Sequence, residues 1–278
     1  MSDTTAGTQM RHEDSSRSLP GWASRIDGIT VAAVLILCAF LAVWEWLFVP
    51  LTGISPALLP KPSQIAVSLW TGLTAGYLAG DTLITLQEIF AGYLVGAVVG
   101  FLLAVPVAEW RAAERILYPY IVAMQAVPKV AIAPLFVVWF GFGMTSKVLI
   151  VALITFFPVF VNAVTGLRAT PADQLEMLSV YNASRWERFR YLKVQNAAPY
   201  IFAGLNVGVT LSVIGAIVAE FVGAQEGIGA AIMRAGFALD TPGVFAAIAL
   251  LTFIAALASA LVQYLGRRLV FWIEASNR

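Results

Sequence analysis

Four side chains that can carry charge stand inside, or at the edges of, long apolar runs: Glu45, Glu88, Lys129 and Glu220. An ion at the centre of a bilayer-crossing helix costs about 2.5–3.5 kcal/mol even on insertion scales, so each should face a partner, a cavity or water. Lys129, between Pro128 and Pro134, is the sharpest case. Prolines free carbonyls and kink a helix, which suits a water-filled path where an ammonium would attract an anionic solute. The alternative is a structural lysine, paired with a carboxylate such as Glu88 or reaching along its stem toward water. Glu220, near the end of an apolar run, reads as a structural hydrogen-bond acceptor. Covalent chemistry finds little support. The single His12 lies in a polar N-terminal stretch and the single Cys38 in an apolar run, which excludes a triad with a core histidine and any His-rich or cysteine metal centre. Gly141 to Lys147 comes nearest to a phosphate loop, but Ser146 stands where a Walker A sequence needs glycine. No bound cofactor is expected.

A second set of chemistry-bearing residues forms a polar island, Arg168 to Asn196, with five of the seventeen basic and three of the sixteen acidic residues. Thr170-Pro171 predicts a helix start, with Thr170 as N-cap and Pro171 preorganised at the first position. Asp173 then falls in the first turn, where the helix dipole favours an anion. Leu175, Leu178 and Tyr181 share one face, and Asp173, Glu176 and Ser179 the other. Asn182 suits the left-handed residue that ends a helix. Ser184 to Glu187 has the spacing of a capping box and predicts a second helix presenting Trp186, Phe189 and Leu192. The island therefore reads as helix, tight turn, helix. It serves either as a docking surface for a soluble partner or as an amphipathic anchor lying on lipid.

The elements that position these residues are membrane helices. The chain has 278 residues, of which 60% are hydrophobic and 12% charged, and its mean hydropathy is +0.83. Soluble domains carry about a quarter charged residues. Six spans are expected, at 29–49, 82–107, 116–140, 147–167, 199–223 and 244–270. The small residues Gly92, Gly96 and Gly100 make a face for close helix packing in the second. Residues 51–80 read as an extracytoplasmic loop and a short interfacial helix, and 1–27 as a disordered cytosolic tail. With the N-terminus inside, thirteen Lys and Arg fall on the cytosolic side against three outside. Both termini and the island are therefore expected in the cytosol. Net charge of +1 and the lack of a lysine-rich tract give no sign of nucleic-acid binding.

With these residues in hand, the island resembles the cytoplasmic coupling loop of bacterial ABC importer permeases. That signature is Glu-Ala-Ala, three residues, Gly, nine residues, Ile-x-Leu-Pro. Its spacing is kept: Glu176 stands at the Glu, Met177 and Leu178 at the alanines, Asn182 at the Gly, Leu192 at the Ile, Val194 at the Leu and Gln195 at the Pro. The lost proline is the clearest departure, and Pro199 is placed to supply the break before the fifth span. The segments 58–65, 127–150, 156–167 and 219–229 look like the nitrate/sulfonate/taurine branch of that family.

The resemblance implies an all-α integral membrane protein of the type I ABC importer permease fold, with 28–278 as the permease domain. It implies a homodimer in the bacterial inner membrane, two copies of an ATP-binding subunit that carry the ATP, and an extracytoplasmic substrate-binding protein. Glu176, Tyr181, Asn182, Ala183, Ser184, Trp186 and Phe189 would then meet or brace the ATPase. Lys129, Glu88 and Glu220 would border the translocation path, and Gly227-Ile228-Gly229 would start a short outer helix. The solute would be a small anion such as a sulfonate, taurine, nitrate or aromatic carboxylate, or else a thiamine-pyrimidine precursor or flavin. A self-sufficient secondary transporter or channel is the competing class, and it would show an inverted repeat and a carboxylate relay.

Overall fold

The computed structural model describes residues 21–48, 53, 55 and 58–272, so residues 1–20 of the expected tail lie outside the described part. The chain divides into two compact units, Met1–Ile54 and Ser55–Arg278. In the first, helix α1 (Gly21–Val43) continues into a π-helical turn, Trp44–Phe48, which holds Glu45. Leu35, Ile36 and Phe40 on α1 are exposed, as side chains facing acyl chains would be.

The second unit begins with α2 (Pro62–Thr74), followed across Gly76 by α3 (Tyr77–Glu109). Then come α4 (Arg111–Gln125), α5 (Lys129–Phe140), α6 (Met144–Arg168) and α7 (Ala172–Val180). Helix α8 (Arg185–Arg188) passes through a π-helical turn, Phe189–Lys193, into α9 (Val194–Phe221). The chain ends with α10 (Ile228–Phe237) and α11 (Thr241–Leu269). No strand occurs among the described residues.

The core is the packing of α3 and α9 on either side of α6, whose Ile150, Phe160 and Leu167 are fully buried. Close approach depends on glycine. A Cβ on Gly96 would lie 2.5 Å from the Ala152 carbonyl oxygen, and one on Gly204 would lie 2.9 Å from that of Pro158. The small-residue face of the second expected span is thus internal packing against α6.

Among the described residues, four helices are long and apolar enough to cross a membrane: α3, α6, the continuous helix Arg185–Phe221, and α11. The third expected span, 116–140, is not one helix. Helices α4 and α5, which are apolar enough to cross only when taken together, meet at a bend of 96°. Pro128 explains the break: it has no N–H to donate, and it disfavours the helical conformation at Val127. The chain there closes with tighter bonds, from Ala126 N to Ala123 O (3.1 Å) and Val127 N to Met124 O (3.3 Å). Pro199, expected to break the chain before the fifth span, sits inside α9 without interrupting it. The second helix of the island is therefore the first turns of that long helix.

Candidate functional site

Chemistry concentrates at the two ends of α3. From Glu88 to Glu109 the helix rises about 30 Å, the thickness of a bilayer's hydrocarbon core. At the Glu109 end lies the island. Helix α7 starts at Ala172, one residue later than expected. Pro171 (φ −59°, ψ 137°) is extended and takes the N-cap place, while Thr170 Oγ1 donates to the Leu167 carbonyl instead of capping α7. At the other end of α7, Asn182 takes φ 56°. Its N–H donates to Ser179 O at 3.0 Å and that of Ala183 to Leu178 O at 3.0 Å, the paired bonds of a Schellman motif. The capping box then starts α8: Ser184 Oγ accepts from Glu187 N at 3.2 Å, and Ser184 N donates to Glu187 Oε2 at 2.7 Å. Trp186 and Phe189 stack with ring centroids 5.8 Å apart.

This loop is pinned to the bundle. Arg168 pairs with Glu114 and donates to Val107 O at 2.9 Å. Lys193 pairs with Glu109 at 2.7 Å, and Asn196 donates to Gln174 at 3.2 Å. The tip is bare: Glu176 is exposed, as are Met177 (53%), Val180 (75%) and Tyr181 (79%). A rigid, fastened loop with an exposed apolar tip can transmit a push from a body seated on it.

At the opposite end, side chains from α3, α6 and α9 form a buried polar cluster around the start of α10. Asp81, Thr85 and Glu88 share one face of α3. Asp81 accepts from Gly227 N at 2.8 Å, Thr85 Oγ1 accepts from Ile228 N at 2.8 Å, and Glu220 accepts from Gly229 N. Three successive amides at the α10 N-terminus, which a helix leaves unpaired, are thus held by side chains distant in sequence. Thr85 in turn donates to Glu220 at 2.6 Å, and Arg234 of α10 pairs with Asp81. Lys147 pairs with the fully buried Glu88 at 2.5 Å and reaches the Glu226 carbonyl at 3.5 Å. The glycines are required here, because any Cβ on Gly227 (φ 113°) would strike the Glu220 carboxylate.

The expected site residues therefore separate. Glu88 and Glu220 come together in this cluster, and Lys129 does not join them. Its Nζ donates to Gln125 O at 3.1 Å, within the α4–α5 break, and stands 4.5 Å from the centroid of the Phe157 ring. Pairing of Lys129 with Glu88 is corrected: Lys147 is the partner. Lys147, Asp81, Thr85 and Arg234 are the residues that sequence reasoning missed. The stripe Asp81, Thr85, Glu88 was available as a signal, but placing the span's edge at 82 split it. Among the described residues no cluster of His, Cys, Asp and Glu could hold a metal ion.

Residues 96–271 match the family model described as the binding-protein-dependent transport system inner membrane component. The chain is 39% identical to a riboflavin transport system permease protein of Chloroflexus aurantiacus, over 94% of this chain and 95% of that one. It is 36% identical to a formylaminopyrimidine transport permease protein of Halalkalibacterium halodurans, over 86% and 94%. A taurine transport system permease protein of Escherichia coli is 32% identical, over 90% and 93%. Among solved structures, a chain of the MetNI methionine ABC transporter in inward-facing conformations superposes with a TM-score of 0.52 at 19% identity. That match covers 77% of this chain and 98% of the other, and it concerns the fold.

Proposed function

The chain belongs to the binding-protein-dependent transport system inner membrane components, and on that premise we propose that its 168–196 loop is the seat of an ATP-binding subunit. As a member of that family it is an ABC importer permease rather than an enzyme, and ATP hydrolysis belongs to a separate subunit. The proposal goes further: two copies of the chain form the pathway, and each receives one ATPase copy on a cytosolic loop. An extracytoplasmic binding protein delivers the solute to the α10 side, and both termini lie in the cytosol. The observation that carries the loop assignment is its construction, a Schellman turn and capping box presenting an exposed tip. Glu176 would meet a basic residue of the ATPase, the turn Asn182-Ala183-Ser184 would enter its groove, and Trp186 and Phe189 would brace the loop behind.

Co-purification from membranes tests this. The wild-type chain should bring down the ATP-binding subunit, and Glu176→Arg should lose it while remaining inserted and monodisperse. Full recovery of the ATPase with Glu176→Arg would sink the assignment.

Two solute chemistries have support. A sulfonate or carboxylate anion suits the part-exposed ammonium of Lys129 at the α4–α5 break. A flavin or pyrimidine precursor is favoured by the identities of 39% and 36% to relatives named for such solutes, against 32% for the taurine permease. The ligand retained by the cognate binding protein, identified by mass spectrometry, decides between them.

A further inference from the structure

Between the Glu109 end of α3 and the two-helix loop lies a cleft of about 750 Å³ whose charges do not balance. Arg185, Arg188 and Lys193 line it against one carboxylate, Glu109, and that carboxylate is already paired with Lys193 at 2.7 Å. Neither arginine forms an ion pair among the described residues. Arg188 spends only its Nε, on the Ala183 carbonyl at 3.1 Å. Two guanidinium groups therefore border one cavity with terminal N–H donors to spare, and the guanidinium fork matches phosphate oxygens.

The remaining walls say where such a phosphate comes from. Trp110 and Trp186 are 65% and 63% exposed beside the cleft, and indoles settle at headgroup depth in a bilayer. Val105 and Pro106 continue the wall into α3, an apolar membrane helix. A free phosphate ion would gain nothing from exposed indoles or an apolar wall, whereas a lipid uses both as well as the arginines.

We propose that this cleft binds an anionic phospholipid, its headgroup phosphate on Arg185 and Arg188, its glycerol level with Trp110 and Trp186, and its chains along α3. The lipid would fasten the base of the loop to the bilayer surface. The site requires the chain to lie in a membrane but not that an ATPase seats on Glu176, so the two assignments fail separately.

The test is native mass spectrometry of the full-length chain, carried out with phosphatidylglycerol and phosphatidylethanolamine of the same acyl chains. The wild type should retain phosphatidylglycerol preferentially. Each of Arg185→Gln and Arg188→Gln should weaken retention about fivefold, and the double Ala variant about 25-fold, from the contribution of one basic residue near an anionic surface. Arg185→Lys with Arg188→Lys should keep the preference in weakened form. Unchanged retention in a folded, monodisperse double variant would overturn the proposal, as would equal retention of the two lipids. Displacement of the lipid by millimolar inorganic phosphate would mark a site for the free ion and also overturn it. So would loss of the lipid on assembly with the ATP-binding subunit, which would make the cleft a protein contact.

Discussion

At the scale of residues, the polar cluster at the head of α3 gives the most definite expectation. Glu88 is fully buried, and Lys147, at 2.5 Å, is its only cationic partner among the described residues. Removing one member of a buried pair strands the other charge, which costs about 3–5 kcal/mol, whereas removing both can be nearly neutral. Lys147→Met should therefore lower the thermal unfolding midpoint in detergent sharply. Glu88→Gln combined with Lys147→Met should restore much of the loss, giving a large coupling in a double-mutant cycle. Additive losses would mean that the two side chains act independently. Glu88 was legible from sequence as a buried charge needing a partner, but the partner was not. Two lysines fell within reach of the apolar runs, and periodicity carries no information on which helix lies beside which. Lys147 stands at the edge of the expected 147–167 span, and the fold draws the α9–α10 connection over it.

Elements obey a more local logic, and the island was correspondingly more readable. The turn at Asn182 and the box from Ser184 to Glu187 depend only on residues within six positions of each other, and both form as expected. What went unread was how α8 ends. No break follows it, because the π-helical turn Phe189–Lys193 joins it to α9 and Pro199 is absorbed within the helix. Proline is tolerated in membrane helices because neighbouring groups can satisfy the freed carbonyl.

The continuity has a mechanical consequence: a force on α8 passes directly into the long helix up to Phe221, one residue beyond Glu220 and the polar cluster at the far end. Ser184→Ala should cost the cap about 1 kcal/mol. Since α8 is a single turn, that loss should appear as faster hydrogen exchange of the amides at 185–188, with the polar cluster around Glu88 and Glu220 unchanged. Asn182→Gly should be nearly silent, because glycine adopts the left-handed conformation freely. Asn182→Val should disturb the turn, since a β-branched residue at positive φ is strained. Equal exchange rates in all three variants would show that the loop is held by its bundle contacts rather than by its own caps.

For the whole molecule, burial and ion pairing separate a tightly packed frame from a sparsely packed pair of helices. Helices α3, α6 and α9 pack through glycines, with ionic fastenings at both ends, Lys193–Glu109 at one and Lys147–Glu88 at the other, while Arg168–Glu114 ties α4 to this frame and Arg234–Asp81 ties α10 to it. The pair α4–α5 is different. It is bent by 96°, α4 has no buried residue, and α5 buries only Ala133 and Val137. Lys129 sits at that bend, part-exposed and, among the described residues, held by a carbonyl and a ring face. Such a site is poorly suited to stabilising the fold and well suited to meeting a solute. Lys129→Met should leave the unfolding midpoint nearly unchanged, in contrast to Lys147→Met. In proteoliposomes carrying the complete transporter, Lys129→Met should reduce uptake of an anionic solute several-fold while ATPase recruitment is retained, and Lys129→Glu should reduce it further. For an uncharged solute the two variants should differ little from each other, because only an anion reads the sign of the charge at the bend. A fall in stability without a change in uptake would instead assign Lys129 to holding the break together through Gln125 and Phe157.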